Sequence, residues 1–221
     1  MTRSDTRNEL WSEAAHFFPR PRQHGFKSDG AETRCVSEDS GIRDDADETD
    51  APAGTADAGA ARYDRVTRHP TTGPYNSIFH WPDARHPLRV MLNYVVIVVC
   101  RVCPSMRAKN WLLRRIGVTV GAGVAWGLES TPDVFWPDLI TVEDHAIIGY
   151  DATVLCHEFL QEEYRTGEVV IGERAMIGAG AIVLPGVEIG AEAQVAANSL
   201  VADDVPAGET VAGVPATPVE E

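Results

Sequence analysis

Lysine is nearly missing from this sequence. Among 19 cations only Lys27 and Lys109 are lysines, against 33 acids. The formal net charge of −14 argues against nucleic acid as a general partner, because binding phosphates takes an excess of cations. An acidic, lysine-poor surface suits high salt, where screening relieves self-repulsion, so a salt-loving host is expected. Cysteine is scarce too. Cys35, Cys100, Cys103 and Cys156 do not make a secreted disulfide framework. The one CxxC, Cys100 and Cys103, lacks a second pair to complete a zinc site. No apolar run reaches the ~20 residues of a membrane span. No apolar core follows Arg3 and Arg7 as it would in a secretory leader, and a cytoplasmic protein is expected.

What is present falls into three zones. Residues 1–60 read as a disordered acidic tail: between Ser28 and Ala60 there are ten acids and two arginines among small polar residues. Such a segment buries too little apolar surface to offset its ordering entropy. Residues 61–117 read as a helical cap segment. No acid occurs between Asp83 and Glu129, while Arg85, Arg89, Arg101, Arg107, Lys109, Arg114 and Arg115 do. The apolar run Val90 to Cys103 ends at Pro104, and a short basic helix is expected from Met106 to Ile116. Two compatible readings stay open for 84–117: a cap on the open end of the next domain, and a basic face resting peripherally on anionic membrane.

The third zone, 118–221, is repetitive. Val142, Ile148 and Val154 return every six residues, and so do Ile171, Ile177, Val183, Ile189, Val195 and Val201. Gly or Ala often follows. Four residues on stands a small residue or Val in eight cases of nine, the exception being Glu158. Six residues make a short strand and a tight corner, and three such units close a triangular coil. The aliphatic residue points inward, the small one fits the corner, and each coil buries its face only against the next. The fold class expected is mainly β, a parallel β-helix of hexapeptide repeats. The register breaks between Val154 and Ile171, and residues 159–168 read as a loop thrown out from one corner, where function concentrates.

Several stretches in order carry a family resemblance: Ile177 to Ala181 (IGAGA), Leu184 to Gly190 (LPGVEIG), Ala196 to Val201 (AANSLV), Asp204 to Pro206 (DVP) and Ala212 to Ala216 (AGVPA). The chain resembles the hexapeptide-repeat acyltransferases, particularly the maltose/galactoside O-acetyltransferase group. The resemblance implies a left-handed coil and a homotrimer. It implies acetyl-CoA, or another acyl-CoA, as co-substrate in the groove between two adjacent β-helices, with no metal. It also implies a His general base acting on the hydroxyl of a sugar, nucleotide-sugar or glycan. Members carry that base where a repeat exits into the extended loop, which is His157 here. Glu158, the position that breaks the small-residue rule beside it, would orient the imidazole or shape the acceptor pocket. By position, Ala179, Ala197 and Ala202 would line the CoA groove through backbone groups. Asp203 and Thr217 stand where the family usually carries cations, which implies either weaker CoA binding or phosphate contacts supplied elsewhere.

Cys156 adjoins His157, but neighbours on a strand face opposite ways, so an inward-packed thiol is expected rather than a nucleophile. Two other functions compete. A γ-carbonic-anhydrase-like zinc enzyme needs three histidines, and only His145 and His157 lie in the repeats. A non-catalytic β-helix scaffold at a membrane or glycan-assembly complex would explain the lost cations and the basic helical zone.

Overall fold

The computed structural model describes residues 62–219. The expected acidic tail lies outside the described residues. In chain order come a helical turn at 62–64, β1 (Thr67–Pro70), a 3-10 turn (Ser77–His80), α1 (Trp81–Ala84), α2 (Pro87–Val102) and α3 (Met106–Arg115). The coil follows with β2 (Thr119–Val120), β3 (Ala125–Trp126), β4 (Thr131–Pro132), β5 (Ile140–Val142), β6 (Ile147–Ile148) and β7 (Thr153–Val154). A hairpin of β8 (His157–Phe159) and β9 (Glu163–Thr166) interrupts it. The coil resumes with β10 (Val169–Ile171), β11 (Met176–Ile177), β12 (Ile182–Val183), β13 (Glu188–Ile189), β14 (Gln194–Val195) and β15 (Leu200–Val201). It closes with β16 (Thr210–Gly213) and β17 (Ala216–Pro218).

Three sheets of parallel strands wall a β-helix. The first is ordered β13-β10-β5-β2, the second runs β16-β14-β11-β6-β3, and the third β15-β12-β7-β4. The second sheet ends in β17, which folds back antiparallel on β16. The six-residue spacing explains the register. Val120, Val142, Ile171 and Ile189 stack in the first sheet. Trp126, Ile148, Ile177, Val195 and Val211 stack in the second. Pro132 pairs with Val154 and Val183 with Val201 in the third. These aliphatic residues are buried, each stabilising the coil by about 1.5–3 kcal/mol. The corner residues Ala146, Ala152, Ala175, Ala181 and Ala193 are fully enclosed. Beside the corners, a Cβ added to Gly149 or Gly178 would meet the next coil's backbone within 2.7 Å, so close stacking requires glycine there.

The repeat begins earlier than its aliphatic positions announce. Val120, Trp126 and Pro132 already keep the spacing of six. A first break then intervenes: Pro132 to Val142 is ten residues rather than six. The second break, from Val154 to Ile171, is 17 residues rather than six. Both excursions leave the third sheet and return to the first, in adjacent coils, so they lie together on one corner. The second contains an ordered hairpin where an open loop was expected at 159–168, and β1 adds to it antiparallel as a third strand.

The helices sit over the first coil. Its exposed edge leaves carbonyls without strand partners, and buried polar groups need partners. Lys109 Nζ donates to the Trp126 and Gly127 carbonyls at 2.9 and 2.7 Å. Asn110 Nδ2 donates to Val124 O at 2.9 Å, and Arg114 Nε to Val120 O at 2.9 Å. Burial pulls the Lys109 ammonium below its ordinary pKa. Part of the basic helix is thus explained by the carbonyl edge it closes.

Candidate active site

The corner that carries both excursions brings Asp133 to His157. Asp133 follows β4 directly, and His157 opens β8. The Asp133 side chain is fully buried, and that of His157 is 15% exposed. Asp133 Oδ1 accepts the N–H groups of Phe135 and Trp136 at 2.8 and 2.9 Å. Oδ2 accepts the Cys156 N–H at 2.7 Å and lies 2.5 Å from His157 Nδ1. Three backbone donors fix the orientation of the carboxylate beside the imidazole. With Nδ1 carrying the proton toward Asp133, Nε2 is left as the basic atom.

Aromatic rings hold the imidazole laterally. Phe135, Phe159 and Trp136 place their centroids 4.9, 5.0 and 5.2 Å from it. Tyr164 stacks on Trp136 at 5.7 Å, and His69 of β1 stacks on Tyr164 at 4.5 Å. His69 Nε2 also lies 3.0 Å from Thr166 Oγ1. The site therefore draws on the first excursion, the hairpin and the strand preceding the helices.

The other expected site residues fall differently. Glu158 faces away from His157. Its Oε1 accepts from Arg62 Nη2 at 2.9 Å. Arg62, itself buried, also donates through Nε to Pro185 O at 2.7 Å. Alternation along β8 explains this, since adjacent side chains project to opposite faces. Glu158 thus anchors the chain leading into β1, and the structure does not bring it to the imidazole. Ala179 and Ala197 are exposed and stacked one coil apart, with Asn198 N–H donating to Ala179 O at 2.9 Å. Their corner joins the second and third sheets. Ala202 lies on the His157 corner, its carbonyl 3.5 Å from Arg62 Nη1.

His145 occupies a third corner, with φ of 59°, its ring packed over Gly123. Cys156 is fully buried; burial first, then the Asp133 carboxylate, push its thiol upward in pKa. It packs inward and is no nucleophile. A concavity of about 320 Å³ beside the hairpin is lined by Arg65, Thr67, Leu139, Thr166, Glu168 and Glu188 among others, and does not reach His157.

Asp133 was not singled out from the sequence. The signal existed: six-residue spacing from Val120 through Trp126 to Pro132, then a lost register. A tryptophan and a proline in inward positions hid it.

A family model for bacterial transferase hexapeptide (six repeats) matches residues 168–203. YvoF of Bacillus subtilis (strain 168), an acetyltransferase by name, is 43% identical over 152 residues, covering 68% of this chain and 88% of its own length. The chain belongs to the hexapeptide-repeat acetyltransferases. Another relative, SAR0816 of Staphylococcus aureus (strain MRSA252), also an acetyltransferase by name, is 36% identical over 119 residues, covering 53% of this chain and 74% of its own. Among solved structures, a galactoside acetyltransferase in complex with coenzyme A is 20% identical, with a TM-score of 0.48, covering 61% of this chain and 81% of that one. The hexapeptide-repeat acetyltransferase VCA0836 of Vibrio cholerae is 19% identical, with a TM-score of 0.49, covering 60% and 90%.

Proposed function

We propose that this acetyltransferase moves an acetyl group from acetyl-CoA to a hydroxyl of a sugar, nucleotide-sugar or glycan. His157 serves as general base and Asp133 positions it. The observation that carries this reading is the 2.5 Å contact between His157 Nδ1 and a carboxylate already fixed by three backbone N–H groups.

A free alkoxide is too basic to form at neutral pH, so the hydroxyl proton must leave as the oxygen attacks the thioester carbon. His157 Nε2 takes that proton. Asp133 holds the ring in the tautomer that makes Nε2 basic and stabilises the imidazolium that forms. The new C–O bond replaces the C–S bond, and the imidazolium returns its proton to the departing thiolate. The aromatic rings of Phe135, Trp136 and Phe159 shield the imidazole from water and offer apolar surface to the acceptor.

The proposed working unit is a homotrimer with acetyl-CoA in the groove between the β-helices of two neighbouring subunits. Ala179 and Ala197 lie on a different corner from His157, which suits a groove whose two walls come from two chains. Small exposed side chains there leave backbone groups open to the co-substrate. The missing cations at Asp203 and Thr217 are expected to leave the CoA phosphates weakly held, giving a high KM for acetyl-CoA.

The test is CoA release from acetyl-CoA with a panel of sugar, nucleotide-sugar and glycan acceptors. Acceptor-dependent release that collapses in His157→Ala is expected. Undiminished release in that variant would remove His157 from the chemistry. Failure to bind acetyl-CoA at all would favour the scaffold reading.

A further inference from the structure

We propose that the outward face of α2, rimmed by cations of α3, docks on the surface of an anionic lipid bilayer. Helix α2 has two faces of different fate. Val90, Asn93, Ile97 and Cys100, spaced three and four apart, are buried toward the coil. On the opposite side Leu88, Met91, Leu92, Val95, Val99 and Val102 are each between 48% and 70% exposed. No charged side chain interrupts that outward stripe. The two charged residues of α2 sit at its flanks and turn back on the protein. Arg89 Nη2 donates to Ile116 O at 2.8 Å, and Arg101 pairs with Glu129 at 2.8 Å. A continuous apolar strip along a helix about 24 Å long marks an interaction surface rather than ordinary scatter.

No described helix is long and apolar enough to cross a membrane. A helix of this length with one wholly apolar face lies in the plane of a bilayer instead. Charge selects the bilayer as occupant. The stretch between Asp83 and Glu129 carries seven cations and no acid, so with the whole chain at −14 the remainder stands at −21 (−14 − 7). Arg107 and Arg115 of α3 are exposed. The Arg115 guanidinium lies 4.9 Å from the ring centroid of Trp111, which is 54% exposed. An aromatic ring and arginines beside an apolar stripe match the depth profile of a bilayer, with rings and cations at headgroup level. A second copy docking the same face on itself would set these cations against one another. The acidic remainder is repelled by an anionic surface, so the protein approaches it by this face alone.

The test is co-sedimentation of the full chain with vesicles of phosphatidylcholine alone and with about 30% phosphatidylglycerol added. Two variants accompany it: Leu92→Glu with Val95→Glu, and Arg107→Glu with Arg115→Glu. Binding to the anionic vesicles is expected, weakened by about tenfold or more in either variant and by added salt. Because all four side chains point into solvent, the unfolding midpoints should stay close to wild type. If the apolar variant is unfolded, the arginine variant decides alone. Three results would overturn the proposal: no sedimentation with anionic vesicles, sedimentation unchanged in the folded variants, or a fall in oligomeric mass of the apolar variant without vesicles, which would make the stripe a contact between copies.

Discussion

From β10 to β15 the coil repeats without interruption, while one corner of the two coils before it breaks the repeat in both. In the regular stretch each inward residue meets its counterpart one coil away, and no two ionisable side chains meet in the interior. At the broken corner the spare residues are spent on an aspartate, a histidine and four large aromatic rings. With the proposed site at that corner, the difference teaches that regularity supplies stability and departure from it leaves room for chemistry. Stability and activity should therefore be separable by mutation.

The largest effect is expected at the broken corner. His157→Ala should lower kcat by about 10²–10⁴, with little change in the thermal midpoint. Asp133→Asn should produce a loss of similar order, because an amide nitrogen would face the Cys156 N–H and the ring proton. Steady-state rates and melting curves on the same samples check both. A next test reverses the pattern. Ile177→Ala, in the middle of the second sheet's stack, should lower stability by about 2–5 kcal/mol in denaturant titrations and leave kcat of the folded fraction near wild type.

Glu158→Ala sharpens the comparison, because it lies within the hairpin yet serves structure. It leaves the buried Arg62 without its carboxylate, and a stability loss of about 1–3 kcal/mol is expected, with kcat falling far less than in His157→Ala. A drop in kcat equal to that of His157→Ala would give Glu158 the direct role in the site expected from its sequence position. The smallest effect concerns corner strain. Glu192 holds φ of 60°, a conformation that costs a residue with a Cβ about 1–2 kcal/mol. Glu192→Asn should raise the thermal midpoint slightly, since Asn tolerates this region better.

Most of the coil was legible because its period is a covalent fact: six residues return the chain to the same wall, so inward positions can be counted. The position of His157, at the exit from the last coil before the register fails, was legible in the same way. Asp133 was not. Its corner follows Trp126 and Pro132, which fill inward positions without looking like the repeat. Its partner lies 24 residues away in sequence, a distance that carries no local signal. Glu158 stood out in the sequence by breaking the small-residue rule beside His157, but its partner, Arg62, lies 96 residues earlier and was not legible there. The hairpin escaped notice because half of what orders it, β1 with His69 and the Arg62 anchor, lies nearly a hundred residues earlier, beyond any local pattern.

The most direct test of the central claim is a double-mutant cycle on acetyl transfer, measuring kcat/KM for wild type, His157→Ala, Asp133→Asn and the double variant. If the two excursions exist to assemble one catalytic pair, the double variant should lose no more than the worse single variant, because Asp133 acts only through the imidazole. If the two losses multiply, Asp133 and His157 act independently, and the account of the corner is wrong.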